Sequence, residues 1–526
     1  MVGKNKKFEK PSFKSDDKVD LTRRAVIIGG ASLLATTLFG CRAATNQKGA
    51  SSRNIGADGR DYTIQPPTGA AKEIFLEARE TEIEIAPGKI VRAWTYDGKL
   101  PGTEIRVKEG ECVRIALKNN LPQETTIHWH GQTQRGTNNM DGVPGVTQAA
   151  IQPGASFVYD FRAEPAGSFI YHPHVGLQIE RGLVGAFIVE PARETVSYDR
   201  EYTIMIDDWL EGSPDEAFEK LKRGEMQGMK MDGMNDQPAI NSEGASGGGK
   251  SGANSPQMQM EKGADVAYQT FLINGKTPEY PAEFSVKSGE RVRFRVVNPS
   301  GSTVYRFAVG GHKLTVTHAD GIAVQPVEAD ALEIAPGERY DVLITANNAG
   351  AWTIAAMSAD EPQRGARAVL RYTDAGARAN PSIKDLPKEL NGGLLNYAQL
   401  AALQPANVPN APERLIEITL GGQMSPYIWT INGKTHPAEP FEIRAGERVR
   451  LLMKNQSLMR HPMHLHGHSF RVLNGSSAPP LKDTAIVEPN RNLEIDFFAD
   501  NPGDWAFHCH HAYHLEAGLM RVFKYV

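Results

Sequence analysis

The 526-residue chain reads as an all-β protein built from three Greek-key β-sandwich domains, and three features predict this. A ten-residue segment occurs three times, a turn-and-glycine unit of fixed internal spacing follows each copy, and no strong amphipathic helix pattern competes over most of the length. The composition agrees: 40 % hydrophobic and 23 % charged residues are ordinary for a globular chain, and 51 glycines with 33 prolines suit many turns. Lys and Arg number 58 against 62 Asp and Glu, a net charge of −4, so the basic excess that nucleic acid or an anionic membrane demands is missing. Three cysteines cannot build a disulfide framework.

Residues 1–44 read as an address rather than as part of the fold. Thr22-Arg23-Arg24 precedes an apolar run over residues 25–40, shorter than the roughly 20 residues a membrane span needs. Paired arginines before such a run resemble a twin-arginine export signal, so the export machinery is an expected partner and the periplasm or cell envelope the destination. Leu38-Phe39-Gly40-Cys41 also resembles a lipoprotein cleavage box, and a membrane becomes a partner only if Cys41 is lipidated.

The repeats define the domains. Gly110 to Asn119 recurs as Gly289 to Asn298 and as Gly446 to Asn455, and the alternation of Val113, Ile115 and Leu117 marks a half-buried strand. A second unit begins at Pro153-Gly154, Pro336-Gly337 and Pro489-Asn490, and a glycine follows 13 residues later each time: Gly167, Gly350 and Gly503. The expected domains are 60–195, 196–375 and 413–526, with a linker over 376–412. Residues 211–265 interrupt the second with Gly, Ser and Asn and six methionines: Met226, Met229, Met231, Met234, Met258 and Met260. Within it, residues 215–223 could form a short helix.

Aligning the copies shows where the histidines fall. Nine and 11 residues after the three asparagines stand His128 and His130, then Phe307 and Val309, then His464 and His466. Five and seven residues after the three glycines stand His172 and His174, then Ala355 and Met357, then His508 and His510. Four His-x-His pairs at matching repeat positions are not chance. On a strand, residues i and i+2 point the same way, roughly 6–7 Å apart, so pairs from two domains can converge as a group of imidazoles. Eight imidazoles exceed the need of one four-coordinate zinc, which favours several metal ions. Cys509, between His508 and His510, points to the opposite face. With His461 and His514 it supplies the His₂Cys set of a blue-copper electron-transfer site.

Here the sequence resembles the multicopper oxidases, which include laccases and bacterial copper-resistance oxidases. The carrying motifs are His128-Trp129-His130-Gly131, His172-Pro173-His174, His461-Pro462-Met463-His464-Leu465-His466-Gly467, and His508-Cys509-His510 followed by His514. The resemblance implies cupredoxin-like domains and four copper ions. His461, Cys509 and His514 would hold the type 1 ion, and His128 and His464 the type 2 ion. His130, His172, His174, His466, His508 and His510 would hold the type 3 pair. It further implies one-electron oxidation of a small reductant, cuprous ion or a phenol, coupled to four-electron reduction of O2 to water, in a copper-tolerance role. Asp141 matches an acid that assists proton delivery in the family. Met459 matches a methionine beside the type 1 site of cuprous-oxidising relatives, and the six methionines of the insertion are soft thioethers suited to recruiting Cu(I). The alternatives are a laccase-like phenol oxidase without a copper-tolerance role and a non-catalytic copper-binding envelope protein.

Three positions depart from the family pattern. Leu519 stands where many bacterial members have an axial methionine, with Met520 one step late. Leu515 follows His514 where some have an acid, Glu516 being adjacent but expected to point elsewhere. Ser457 stands where cuprous-oxidising members place an aspartate. His312, His318, His436, His468 and His511 match no ligand position and read as structural or solvated. Cys112 reads as an incidental thiol.

Overall fold

The structure, a computed structural model, describes residues 69–225, 265–376, 379–382, 384–406 and 413–526. Over these the chain is all-β, and its sheets form three cupredoxin-like sandwiches. The first domain sets two four-stranded sheets against each other, the second two six-stranded sheets, and the third a six-stranded sheet against a five-stranded one.

The thrice-repeated segment forms the strands Cys112–Asn119, Arg291–Val297 and Arg448–Asn455. Each takes the same place in its sheet. It pairs parallel with the first strand of its domain (Ala71–Ala86, Arg200–Trp209, Glu413–Met424). It pairs antiparallel with the strand after the Pro-Gly or Pro-Asn turn (Ser156–Arg162, Arg339–Thr345, Asn492–Phe498). Val113, Ile115 and Leu117 are wholly buried, as are Val449, Leu451 and Met453. Each such side chain contributes roughly 1.5–3 kcal/mol, so one repeated strand seeds each core. In the middle domain both faces are covered, because Arg293 and Arg295 on the second face turn to Asp341 and Glu201.

The expected short helix is Pro214–Lys222. Ser213 Oγ accepts from Glu216 N at 3.4 Å, proline opens the first turn, and Lys220 and Lys222 close the last. Met226, Met229, Met231, Met234, Met258 and Met260 lie outside the described residues, as do the export segment and Cys41. The described part of the 376–412 connection is more than a polar link. Leu394–Leu395 adds a short strand to a sheet of the middle domain, and Leu390, Leu395 and Leu400 are buried. Among the described residues no helix is long and apolar enough to cross a membrane.

Candidate metal centre

The strand His461–Leu465 lies between Thr484–Val487 and Asp504–Cys509, and its register sorts the side chains by face. His464 is opposite His508, while Met463 is opposite Cys509 on the other face. On the Cys509 face, His461 Nδ1 and His514 Nδ1 lie 3.1 Å apart, and the thiol sulfur is 3.7 Å and 3.6 Å from them. A triangle with edges near 3.5 Å has its centre about 2.0 Å from each corner, close to a metal–imidazole bond length. Ser457 Oγ is 2.8 Å from His461 Nε2, which leaves Nδ1 for a metal. Trp429 lies with its ring centroid 4.2 Å from that of His514 and 5.0 Å from that of His461. Leu519 shares the apolar cluster of Cys509. Met520 pairs with His508 and packs with Val143 and Ala506 instead, so Leu519 is the side chain on the thiol side of that strand.

The eight histidines of the His-x-His pairs converge from the first and third domains. His128 stacks on His466 and His130 on His464, each pair with ring centroids 3.7 Å apart. Their ring atoms fall into compact groups: His130, His172 and His510; His174, His466 and His508; and His128 and His464 together with His130. The equivalent positions of the middle domain, Phe307, Val309, Ala355 and Met357, are buried apolar side chains with no imidazole among them.

Hydrogen bonds choose which nitrogen each ring turns inward. His128 Nδ1 donates to the Asp141 carbonyl at 2.8 Å, His172 Nδ1 to that of Pro173 at 3.0 Å, His464 Nδ1 to that of Asp483 at 2.9 Å, and His508 Nδ1 to that of Cys509 at 2.9 Å. His466 Nδ1 donates to Asp141 Oδ2 at 2.9 Å. Each donation leaves Nε2 as the lone-pair nitrogen. His130 is reversed: Nε2 meets Asp483 Oδ1 and Thr484 Oγ1, both at 3.1 Å, and Nδ1 faces the group. Nitrogens of His128, His130, His172, His174, His464 and His510 are buried with no hydrogen-bond partner. These seven orphaned nitrogens, both of His510 among them, would cost on the order of 7–21 kcal/mol, as much as the whole net stability of an ordinary domain. A bound cation removes that penalty, so the residues fit a cluster of metal ions.

The electrostatics favour the ligand forms. Burial, reinforced by neighbouring histidines such as His128, lowers His172 to about 3, and burial alone takes His514 to about 3. His130, His174, His466, His508 and His510 also fall well below the usual range, burial being the first cause. The rings are therefore neutral near pH 7 and no proton competes with a metal. Burial pushes the Cys509 thiol up, so it keeps its proton until a cation displaces it. A cavity of about 280 Å³ opens onto His172, His174, His508 and His510 and is lined also by Leu515, Glu516 and Met520. Glu516 thus faces the histidine side, against the sequence expectation, because it ends the short helix Ala512–Glu516, where strand alternation no longer applies.

Asp141 is wholly buried directly beneath His128. The turn is made possible by Gly142 at φ +89°, where a Cβ would stand 1.9 Å from the Ile127 carbonyl oxygen. Met459 is half-buried near His461, its carbonyl accepting from Asn455 Nδ2 at 2.8 Å. Asp483, Thr484 and Asp265 escape sequence reasoning. Asp483 touches His130 and His464, and Asp265 Oδ2 lies 2.9 Å from His514 Nε2, off the hydrogen-bond direction, while accepting from Tyr427 at 2.5 Å. No spacing signal marks an isolated Asp after Lys or Ala; only the repeat-free context of Lys482-Asp483-Thr484 between two third-domain strands could have drawn attention. His312, His318, His468 and His511 are buried rather than solvated, and His511 stacks on His514 at 3.8 Å.

Multicopper oxidase family profiles match residues 77–194, 200–375 and 407–526. The multicopper oxidase MmcO of Mycobacterium tuberculosis is 35 % identical over 517 residues, covering 97 % of this chain and 98 % of that protein. A copper resistance protein A homolog of Pseudomonas syringae pv. tomato is 29 % identical, covering 87 % and 93 %. Among solved structures, the laccase from Botrytis aclada superposes with a TM-score of 0.70 at 27 % identity, covering 87 % of this chain and 88 % of that one.

Proposed function

The chain belongs to the multicopper oxidase family of copper-dependent oxidoreductases, and on that footing we propose that it oxidises cuprous ion, phenols or both at a type 1 copper and reduces O2 to water at a three-copper cluster. One observation carries the proposal. Two sets of buried ligand atoms lie back to back across His508-Cys509-His510, and the histidine set includes ring nitrogens with no hydrogen-bond partner. Four copper ions held there would supply one-electron redox chemistry on the Cys509 side and four-electron chemistry on the histidine side.

The chain's own residues do the rest. His461, Cys509 and His514 hold the type 1 ion, His128 and His464 the type 2 ion, and His130, His172, His174, His466, His508 and His510 the type 3 pair. The peptide bonds flanking Cys509 make the path between the two sets covalent. Ser457, Asp483 and the backbone carbonyls fix the ring tautomers. Asp141, with one oxygen on His466 and its carbonyl on His128, is the acid placed to hold a proton beside the cluster. Asp265 lies at the nitrogen of His514 that faces away from the type 1 set.

A copper-tolerance role is supported by the copper resistance protein A homolog and by the methionines of the insertion. Ser457, where cuprous-oxidising members place an aspartate, and Leu515, where some bacterial members have an acid, favour the second reading of a laccase-like phenol oxidase. The paired arginines of the leader support export to the periplasm or cell envelope. A non-catalytic copper carrier is disfavoured because no ligand of the set is missing. The test is oxygen uptake by copper-loaded protein with a cuprous salt and with a phenol side by side. Uptake driven by either supports oxidase function, their ratio decides the reductant, and uptake with neither contradicts the proposal.

A further inference from the structure

The middle domain has no histidine at any of its four equivalent positions, yet it reaches the cluster. Its turn at Pro336-Gly337 passes so close that a Cβ on Gly337 would stand 2.8 Å from the His510 ring and 3.0 Å from that of His130. Two residues on, Arg339 is wholly buried and ties three domains together. Its Nε donates to the Ser168 carbonyl of the first domain at 2.9 Å, and its Nη1 to the Gly337 carbonyl at 2.9 Å. Nη1 and Nη2 each donate to one carboxylate oxygen of Asp483 in the third domain, both at 2.6 Å. Asp320, also of the middle domain, accepts from Arg339 N at 2.9 Å through Oδ1. Its Oδ2 accepts from the backbone of Asp483 and Thr484 at 3.2 and 3.1 Å. Gly131, next to His130, is held against the same pair. A Cβ there would lie 2.6 Å from Arg339 Nη2 and 2.8 Å from Asp483 Oδ2.

From these contacts we infer that Arg339 is a positioning residue: the copper-free domain fixes, through Asp483, which nitrogens of His130 and His464 face the cluster. The inference rests on the ligand set proposed above. A two-pronged guanidinium–carboxylate pair fixes the direction of both oxygens, which a lysine's point charge does not. Held this way, Asp483 offers Oδ1 to His130 Nε2 at 3.1 Å and its carbonyl to His464 Nδ1 at 2.9 Å. Without the fork the carboxylate keeps only Thr484 Oγ1 as a donor besides the histidine, and the reversed His130 ring loses the firmer of the two partners, Asp483 and Thr484, that commit its Nε2. The inference also explains why a domain without metal ligands keeps a glycine and a buried arginine against the cluster.

The test uses the full chain loaded with copper and carrying Arg339→Lys, read by copper per chain, by the EPR signal of the non-blue copper and by the blue absorption. The expected result is retained blue absorption with a selective loss or altered signal of non-blue copper, its affinity down roughly 10–100-fold. Removing a buried charge can unfold a protein by stranding its partner, so Arg339→Gln combined with Asp483→Asn is measured beside it, with the same selective loss expected. Wild-type copper content and an unaltered non-blue signal in either folded variant overturns the inference. His464→Ala separates the levels. If it too keeps all its copper, the ligand set is wrong; if it loses copper while the Arg339 variants do not, only the role of Arg339 is wrong.

Discussion

In the proposed type 1 site the sulfur of Cys509 would set both the colour and the electron transfer, because only a thiolate gives strong charge transfer to copper. Cys509→Ser should therefore abolish the blue absorption and the oxidase activity while circular dichroism stays native; a blue, active variant would show that another ligand was at work. Leu519, on the thiol side of its strand, is apolar and offers no axial donor. Leu519→Met should lower the reduction potential in a redox titration, and an unchanged or higher potential would remove Leu519 from the axial position. Gly142→Ala places a methyl group where the Ile127 carbonyl already is, at a φ of +89°. It should displace Asp141 from His128 and His466 and slow oxygen uptake on the order of 10–100-fold, and an unimpaired variant would deny Asp141 its place in the site. The ligand histidines were legible because a rare residue type recurs at a fixed offset from the repeat markers. Asp483 and Asp265 were not, since common residues carry no such offset and these two owe their roles to contacts across domains.

Among the elements, the repeated strand was the most readable, its alternation fixing which side chains enter the core in the first and third domains. In the middle domain tertiary packing also covers the second face of this strand, where Arg293 and Arg295 are buried on Asp341. Glu516 was misjudged because its segment turns helical. The helix Pro214–Lys222 was legible from Ser213, Pro214 and the charge order along it. The interruption after it carries a functional prediction. Replacing Met226, Met229, Met231, Met234, Met258 and Met260 with serine at constant length should slow cuprous oxidation and leave phenol oxidation roughly unchanged, because thioethers bind Cu(I) and play no part in phenol binding. Equal rates on Cu(I) before and after the replacement would rule out recruitment by these methionines.

For the whole molecule, the buried imidazoles couple metal binding to stability. His172, His511 and His514 sit near pKa 3 in the folded chain through burial, against about 6.5 when unfolded. Between those values the unfolded chain binds more protons than the folded one, so stability falls as the pH falls, by up to about 1.4 kcal/mol per pH unit for each such histidine. Metal-free protein should accordingly lose denaturant resistance steadily below about pH 6.5, while copper-loaded protein holds its stability to lower pH because the metal competes with those protons. Coincident pH profiles for the two forms would place the metal elsewhere. If substrate electrons gathered at one copper are delivered four at a time to dioxygen, as proposed, the stoichiometry of oxygen uptake is fixed. Copper-loaded protein supplied with a one-electron donor should consume one O2 for every four donor molecules oxidised and release no hydrogen peroxide. Two donors per O2 with peroxide accumulating would contradict it.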